Sequence, residues 1–474
     1  MKKTKIIATI GPASIEVNVL SKLIKAGVNV MRVNASHGGH SQHQEIIDNI
    51  RAAENKTGQT VGILYDLQGP KIRIGDLGPE HKKGVAVKKG ETVYLHTGDE
   101  YYVEKDTKYF PVQFKPLVKE VQAKETILIN DGLMELKVIK HNLRKTAVAC
   151  EVITDGLIGS NKGINVPQTA LKANALTEKD LEDLKFAAQT KVDFVALSFV
   201  RTAEDIQYLK AKCEELKFYP NIVAKIERPE AIDNLEEITI KTDSIMVARG
   251  DLGIEIPAAK VPLVQRKIIE TANRHAKPVI IATQVFSSMI ENPRPTRAEI
   301  SDAANSVFDY TDAIMLSNET AVGNYPIETV ETLSEVIKTI EHELAKDEDL
   351  LKVKNSKNTP INAITENAVE LAQDLEAKLL VAVTNSGHTA RSIAKFRTFV
   401  PLVVYTNSDR IRRQLTLCWG INTVFTKTDI DPTNPTPFLR TALLEHKLAG
   451  KGDEIVVCNA GQNNRERLIT TFKL

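Results

Sequence analysis

Apolar, β-rich runs alternating with helical periodicity are what most limits the folds open to this chain. "KIIATI", "VNVMRVNAS", "VGILYDL", "VDFVALSF", "NIVAKIE", "SIMVARG", "PVIIATQ" and "DAIMLSNE" make eight such runs. Most are followed by a stretch of helical period, as at residues 14–26, 177–189, 203–216 and 262–275. Thr177 is placed to cap its helix, with Glu178 and Asp180 in the first turn, where carboxylates offset the helix dipole. Strand–helix alternation repeated eight times predicts an α/β protein built on a (β/α)8 barrel.

The third repeat is interrupted. From residue 70 to 167 the pattern turns to short strands and Gly turns, "KKGETVYLH", "ETILINDGLMELKV" and "TAVACEVITDG", with no helical period. This predicts a small all-β domain, read as a β-barrel, inserted over 70–167, leaving the (β/α)8 barrel to residues 1–69 and 168–345. The charged segment "AKDEDLLKVKNSKNTP" reads as a linker near 345–360. Beyond it, "LLVAVTNSG", "PLVVYTNS" and "DEIVVCNAG", with a helix near 389–399, give a smaller α/β domain over 346–474 with a mostly parallel sheet.

Charge narrows the partners. A net charge of +1 gives no basic excess for nucleic acid, and no apolar run reaches transmembrane length. "KKTKIIATIGPAS" is too short and interrupted for a signal peptide. Cys150, Cys213, Cys418 and Cys458 lie far apart with no C-x-x-C pair, and read as reduced thiols of a cytoplasmic protein.

In such a barrel, function sits at the C-terminal ends of the strands. Those ends carry Arg32, Asn34 and Ser36; Asp66; Ser198 and Arg201; Lys225 and Glu227; Arg249, Gly250 and Asp251; Thr283; and Ser317 and Glu319. A strand-end Asp commonly caps a helix and a strand-end Arg is commonly solvated, so each alone has a plain structural account. Polar groups delivered to one rim by almost every strand do not. Glu227 and Asp251 are hard oxygen ligands suited to Mg²⁺, and Lys225 shares a strand face with Glu227. Arg32 and Arg73 add planar forks suited to phosphate. Metal, cations and amides without a Cys or Ser–His nucleophile suit phosphoryl transfer.

The runs "GPAS", "RVNASHG", "GPKIR", "KIERPEAIDN", "VARGDLGIEIP", "ATQ" with "NPRPTRAEISDAAN", and "IMLSNETAVGNYP" together resemble the pyruvate kinases. The resemblance implies a barrel, a mobile β lid and a C-terminal regulatory domain, assembled as a cytoplasmic homotetramer. It implies phosphoryl transfer from phosphoenolpyruvate to ADP, giving ATP and pyruvate at the close of glycolysis. Lys225 would stabilise the phosphoryl group in flight, Glu227 and Asp251 would hold Mg²⁺ (or Mn²⁺), and Arg32 and Arg73 would contact the transferred phosphate. The Gly250 and Asp251 amides would bind the substrate carboxylate, Thr283 would lie beside the enolpyruvate, and Ser317 and Glu319 would belong to the water network delivering the proton. Asn34, Ser36, His37, Arg73 and Lys162 match positions near the nucleotide phosphates. Ala35, Gln42 and Asn318 depart from the common pattern without removing a group assigned to chemistry.

Two further expectations follow from the resemblance. Familiar members hold K⁺ with groups matching Asn34, Ser36, Asp66 and the Leu67 carbonyl, and carry Glu where this chain has Lys71. Relatives with Lys there, together with the pattern of Leu67, Gln68 and Ile74, dispense with the ion, so Lys71 is expected to fill the K⁺ position, held by Asp66. The turn Thr384, Asn385, Ser386, Gly387, His388 and Thr389 matches a loop that receives an effector phosphate, and the tail after Asn459 lacks the longer loop of relatives using fructose 1,6-bisphosphate. A sugar monophosphate or nucleotide is then the expected effector. Two rival readings are a Mg²⁺ lyase or aldolase acting on a keto acid, and a phosphoenolpyruvate or sugar-phosphate sensor on an inactive barrel.

Overall fold

The computed structural model describes residues 2–142, 145–169, 174–346, 359–427, 430, 434–461 and 467–474. Eight parallel strands, Lys5–Thr9, Val30–Asn34, Gly62–Asp66, Phe194–Leu197, Asn221–Ile226, Ser244–Ala248, Val279–Ala282 and Ala313–Leu316, close into a barrel. They are the eight runs read from the sequence. The seam joins the first strand to the last, Lys5 opposite Ala313 through Ala8 opposite Leu316.

Alternate residues of each strand serve two cores. Ile7, Val30, Leu64, Phe194, Val223, Met246 and Ile280 point inward and fill the barrel, with Leu417 from the C-terminal region added below. Ile6, Met31, Ile63, Val195, Ala224 and Val247 point outward and pack under the helices. Both faces are therefore apolar, and the side chains available to solvent are at the strand ends.

Local chemistry sets the helix limits. Thr177 caps Glu178–Thr190 in a reciprocal box with Asp180, as its sequence implies. The helix expected from residue 14 begins later, at Val17–Ala26. A turn between Gly11 and Ser14 takes up the intervening residues, and Gly11 lies so close to Ala321 that a Cβ would fall 2.6 Å from its carbonyl oxygen. The helix expected over 389–399 is His388–Ala394. It stops because Arg397 turns to positive φ and buries its guanidinium against Asp312, 2.7 Å away.

The inserted segment forms a seven-stranded sheet and a two-stranded ribbon, Val85–Val87 with Gly156–Ile158. Both wrap one core of Val85, Val93, Phe110, Ile127, Leu136, Val148 and Ile158. The expected small barrel thus takes the form of two sheets around one core instead of a single hydrogen-bonded ring. It also contains a one-turn helix, Leu117–Glu120, that periodicity is too short to reveal.

The C-terminal sheet has the order Ile421–Thr426, Leu402–Thr406, Leu379–Val383, Glu454–Asn459, Leu468–Lys473, with only the last strand antiparallel. Lys5, 1% exposed, reaches it from the base of the barrel and donates to the Ile421 carbonyl and Asn422 Oδ1, each at 2.6 Å. Residues 347–358 of the expected linker lie outside the described residues.

Candidate active site

The strand ends bring Lys225 into contact with two acids. Its Nζ lies 3.0 Å from Glu227 Oε1 and 3.4 Å from Asp66 Oδ1, and donates to Ser198 Oγ at 2.7 Å. Asp66 Oδ2 is gripped by Arg32 through Nε at 2.8 Å and a terminal nitrogen at 2.7 Å, while Arg32 also donates to Thr9 Oγ1. Burial works against the Lys225 charge, but Asp66 and Glu227 outweigh it and hold the ammonium protonated. Burial likewise opposes ionisation of Asp66, yet Lys225 and Arg32 keep its carboxyl below the ordinary range.

Glu227 is fully buried. Its Oε2 accepts the Phe199 N–H at 2.7 Å, for which Phe199 adopts a left-handed backbone (φ 56°). Its Oε1 is buried against the Lys225 ammonium, 3.0 Å away, and burial together with the nearby Asp251 charge outweighs that ammonium and pushes the carboxyl up. Asp251 heads the next short helix, Arg249–Glu255, and stays 26% exposed at its side chain. A buried carboxylate paired with a single ammonium, beside a carboxylate open to water, is a hard oxygen pair that fits Mg²⁺, which takes one or two carboxylates and retains several waters. Among the described residues no cluster of three or more His, Cys, Asp or Glu offers a closed protein cage.

Around this centre the rim is held by clasps that strand patterns do not disclose. Arg249 pairs with Asp302 at 2.6 Å and donates to the Thr283 carbonyl at 2.7 Å, fixing a turn in which Thr283 and Gln284 have φ of 67° and 54°. The Gly250 N–H, expected to meet the substrate carboxylate, donates instead to Thr283 Oγ1 at 2.7 Å, because that turn brings the hydroxyl over the helix start. Glu319, expected in a water network, is buried and accepts from the Ser317 N–H at 2.7 Å and the Phe286 N–H at 3.2 Å. It ties two strand ends together. Lys71, Gly250, Asp251, Thr283, Ser317 and Glu319 line one cleft of about 1200 Å³, joined by Asp131 of the inserted segment.

Lys71 does not sit on Asp66. Its Nζ lies 3.5 Å from Asp251 Oδ1, because Asp66 is already engaged by Arg32 and Lys225. Two other groups of the expected K⁺ seat also have internal partners: the Leu67 carbonyl accepts from Ser198 Oγ at 2.8 Å, and Asn34 Oδ1 from the Ser36 N–H at 3.2 Å. Arg73 donates to the Asn161 carbonyl at 2.9 Å on the inserted segment, and Lys162 and His37 are exposed. In the C-terminal loop Gly387 takes φ 77°, Ser386 Oγ accepts the His388 N–H at 3.4 Å, and Thr384 and Thr389 are buried. Part of the tail compared with fructose 1,6-bisphosphate users, residues 462–466, lies outside the described residues.

The chain matches the family descriptions "Pyruvate kinase, barrel domain" over residues 1–330 and "Pyruvate kinase, alpha/beta domain" over 362–467. It is 40% identical over 462 residues to a pyruvate kinase of Sporosarcina psychrophila, covering 96% of this chain and 77% of that protein. It is 40% identical over 458 residues to that of Corynebacterium glutamicum, covering 96% and 94%. A crystal structure of a pyruvate kinase from Cryptosporidium parvum superposes with a TM-score of 0.90 at 33% identity, covering 100% of this chain and 96% of that one. A closed eight-stranded barrel with this set of strand-end groups and these matches along nearly its whole length places the chain in the pyruvate kinase family of phosphotransferases.

Proposed function

We propose that this protein transfers the phosphoryl group of phosphoenolpyruvate to ADP, and that Mg²⁺, held by Glu227 and Asp251, is required. The observation that carries the reading is Lys225: an ammonium kept charged while only 13% of its side chain is exposed, within 3.4 Å of two acids at the barrel mouth. Bound Mg²⁺ supplies neutralisation and orientation of phosphoryl oxygens. Lys225 and Arg32 set fixed positive charge where negative charge spreads over the phosphoryl oxygens in transfer, so little reorganisation is needed. The enol C–O–P linkage breaks at phosphorus, a bond forms to the terminal ADP oxygen, and the enolate left behind takes a proton at its methylene carbon. Thr283 and Ser317 are the hydroxyl groups beside that carbon, and Glu319 holds Ser317 through its backbone. The Asp251 amide takes the substrate carboxylate, with the Gly250 amide engaged by Thr283 until substrate competes for it. Arg73, Asn34, Ser36, His37 and Lys162 come to the nucleotide phosphates when the inserted domain approaches the barrel.

K⁺ is not required in this reading. Lys71 supplies a tethered positive charge beside Asp251, and the Leu67 carbonyl and Asn34 Oδ1 already accept internal hydrogen bonds. The enzyme works in the cytoplasm as a homotetramer, and the 384–389 loop receives the phosphate of a sugar monophosphate or nucleotide. The deciding experiment is an assay of phosphoenolpyruvate with ADP and Mg²⁺, following ATP and pyruvate together. Formation of both in equal amounts is expected. Phosphoenolpyruvate binding without turnover would favour the sensor, and carbon–carbon bond cleavage or formation the lyase.

A further inference from the structure

Both chain segments that join the inserted domain to the barrel touch the short helix Arg249–Glu255. On the incoming side Lys71 reaches Asp251, its stem passing over Gly163, where a Cβ would lie 3.0 Å from Lys71 Cε. On the outgoing side Asn165 donates from Nδ2 to Glu255 Oε1 at 2.8 Å, and both residues are 5% exposed. Asp251 and Glu255 are four residues apart, so they lie one above the other on one helix face. Glu255 Oε1 also faces the Arg228 guanidinium at 3.7 Å. Arg228 directly follows Glu227 and donates to the Thr169 carbonyl, at 3.2 Å, on the chain leaving the inserted segment. Glu255 Oε2 is buried without a hydrogen bond.

Packing alone does not call for this chain of polar groups. Pro70, Ile72, Ile164, Val166 and Phe199 surround it and leave a cavity of only about 30 Å³, where an apolar side chain would be cheaper to bury than a carboxylate. What the polar groups add is direction. The Asn165–Glu255 bond ties the inserted segment to that helix at the hinge angle seen here. If the inserted domain tilts and that bond opens, a buried carboxylate keeps only a distant guanidinium. The costs of an unpaired buried charge then favour two movements: the helix end follows Asn165, or Arg228, which Glu230 holds at 3.0 and 3.1 Å, swings its remaining nitrogen towards Glu255. The first moves the helix bearing Asp251, and the second moves the residue next to Glu227.

We propose that Asn165 and Glu255 are positioning residues, forming with Arg228 a latch by which the angle of the inserted domain sets the placement of Glu227 and Asp251. The inference rests on the reading of those two carboxylates as the Mg²⁺ ligands. Mn²⁺ serves as the spectroscopic probe, bound to the full-length protein without nucleotide and therefore without turnover. The four cysteines are buried, so spin labels can be directed to cysteines introduced at Val103 on the inserted segment and Tyr208 on the barrel, 54% and 44% exposed. Asn165→Leu is expected to weaken Mn²⁺ binding about tenfold, the scale on which groups behind a metal ligand act, and to shift or broaden the label-to-label distance. Glu255→Gln keeps an acceptor for Asn165 and should act in the same direction less strongly. The exchanged pair Asn165→Asp with Glu255→Gln preserves net charge, reverses the hydrogen bond, and should restore both readouts towards the wild type. The latch is overturned if Asn165→Leu and Glu255→Gln bind Mn²⁺ as the parent does, or if their losses are not recovered in the exchanged pair. Mn²⁺ binding unaffected by Glu227→Gln and Asp251→Asn would overturn the ligand reading and the latch with it. Wild-type turnover with unaltered latch variants would remove the latch alone.

Discussion

Lys225 Nζ lies 3.0 Å from Glu227 Oε1, two residues on and just past the strand end, and 3.4 Å from Asp66 Oδ1 at the end of a strand two places round the barrel. The ammonium is thus immobilised between fixed acids before any substrate arrives. Lys225→Met should lower phosphoryl transfer by about 10³-fold, the scale for losing a preorganised charge at developing negative charge. Exchange of the pyruvate methyl protons, which builds no charge on phosphorus, should survive in part. Coupled ATP assays and proton NMR on the same preparation measure the two. Near-normal ATP formation would sink the role given to Lys225.

The Lys71–Asp251 contact makes a prediction about ions. Replacing K⁺ by tetramethylammonium at constant ionic strength should leave the Mg²⁺-supported rate essentially unchanged. Lys71→Glu should lower the rate and make part of what remains respond to added K⁺, since it restores a carboxylate where a free cation can bind. A wild-type rate that collapses without K⁺ would overturn this assignment.

Lys5 ties the base of the barrel to the C-terminal sheet, and burial pushes its ammonium from the ordinary 10.5 down to about 8. Below pH 8 the amine is charged in the folded and unfolded chain alike, and folding bears the cost of burying it. Between about pH 8 and 10.5 the folded chain has released a proton that the unfolded chain still holds, so stability rises with pH by up to about 3 kcal/mol. Chemical denaturation at pH 7.5, 8.5 and 9.5 should show that rise, reduced in slope in Lys5→Met. Identical slopes in the two proteins would count against a buried charged Lys5.

At the 384–389 loop, Ser386→Ala removes the hydroxyl that accepts the His388 N–H. A panel of sugar monophosphates and nucleotides should contain one that lowers the phosphoenolpyruvate half-saturation of the parent and acts more weakly on this variant. A panel with no effect on either protein would leave this turn an ordinary strand–helix connection.

The barrel was legible because each of its strands is an apolar run of four to six residues between polar ends, and alternation of in and out does not disturb that signal when both faces are buried. The helix start at Thr177 was legible because a cap and its acidic partner lie within one turn. Contacts across strand ends were not. Phe199 has no polar side chain, yet its amide holds Glu227, and the φ of 56° that allows this is a product of tertiary packing. The partner of Lys71 was misread because Asp66 is nearer in sequence, whereas competition from Arg32 and Lys225 decides the matter in space. Glu255 did leave a trace in "RGDLGIE", four residues after Asp251 on the same helix face, but its partners Asn165 and Arg228 come from elements that only the fold brings together.

The barrel seam also imposes an order in time. Lys5–Thr9 is made shortly before Val30–Asn34, with which one of its edges pairs. Its other edge waits for Ala313–Leu316. At about 5 to 20 residues per second, some 300 residues of synthesis correspond to about 15 to 60 s. Throughout that interval a strand destined to be wholly buried presents an open edge on the nascent chain, a template for unwanted pairing. The same segment is then clasped by residues made later still, Lys5 by the Ile421 carbonyl and Lys3 by the Gly420 amide. Lys5–Thr9 therefore reaches its final partners only after segments made about 300 residues later, and chaperone dependence should be greatest for chains released before Leu316.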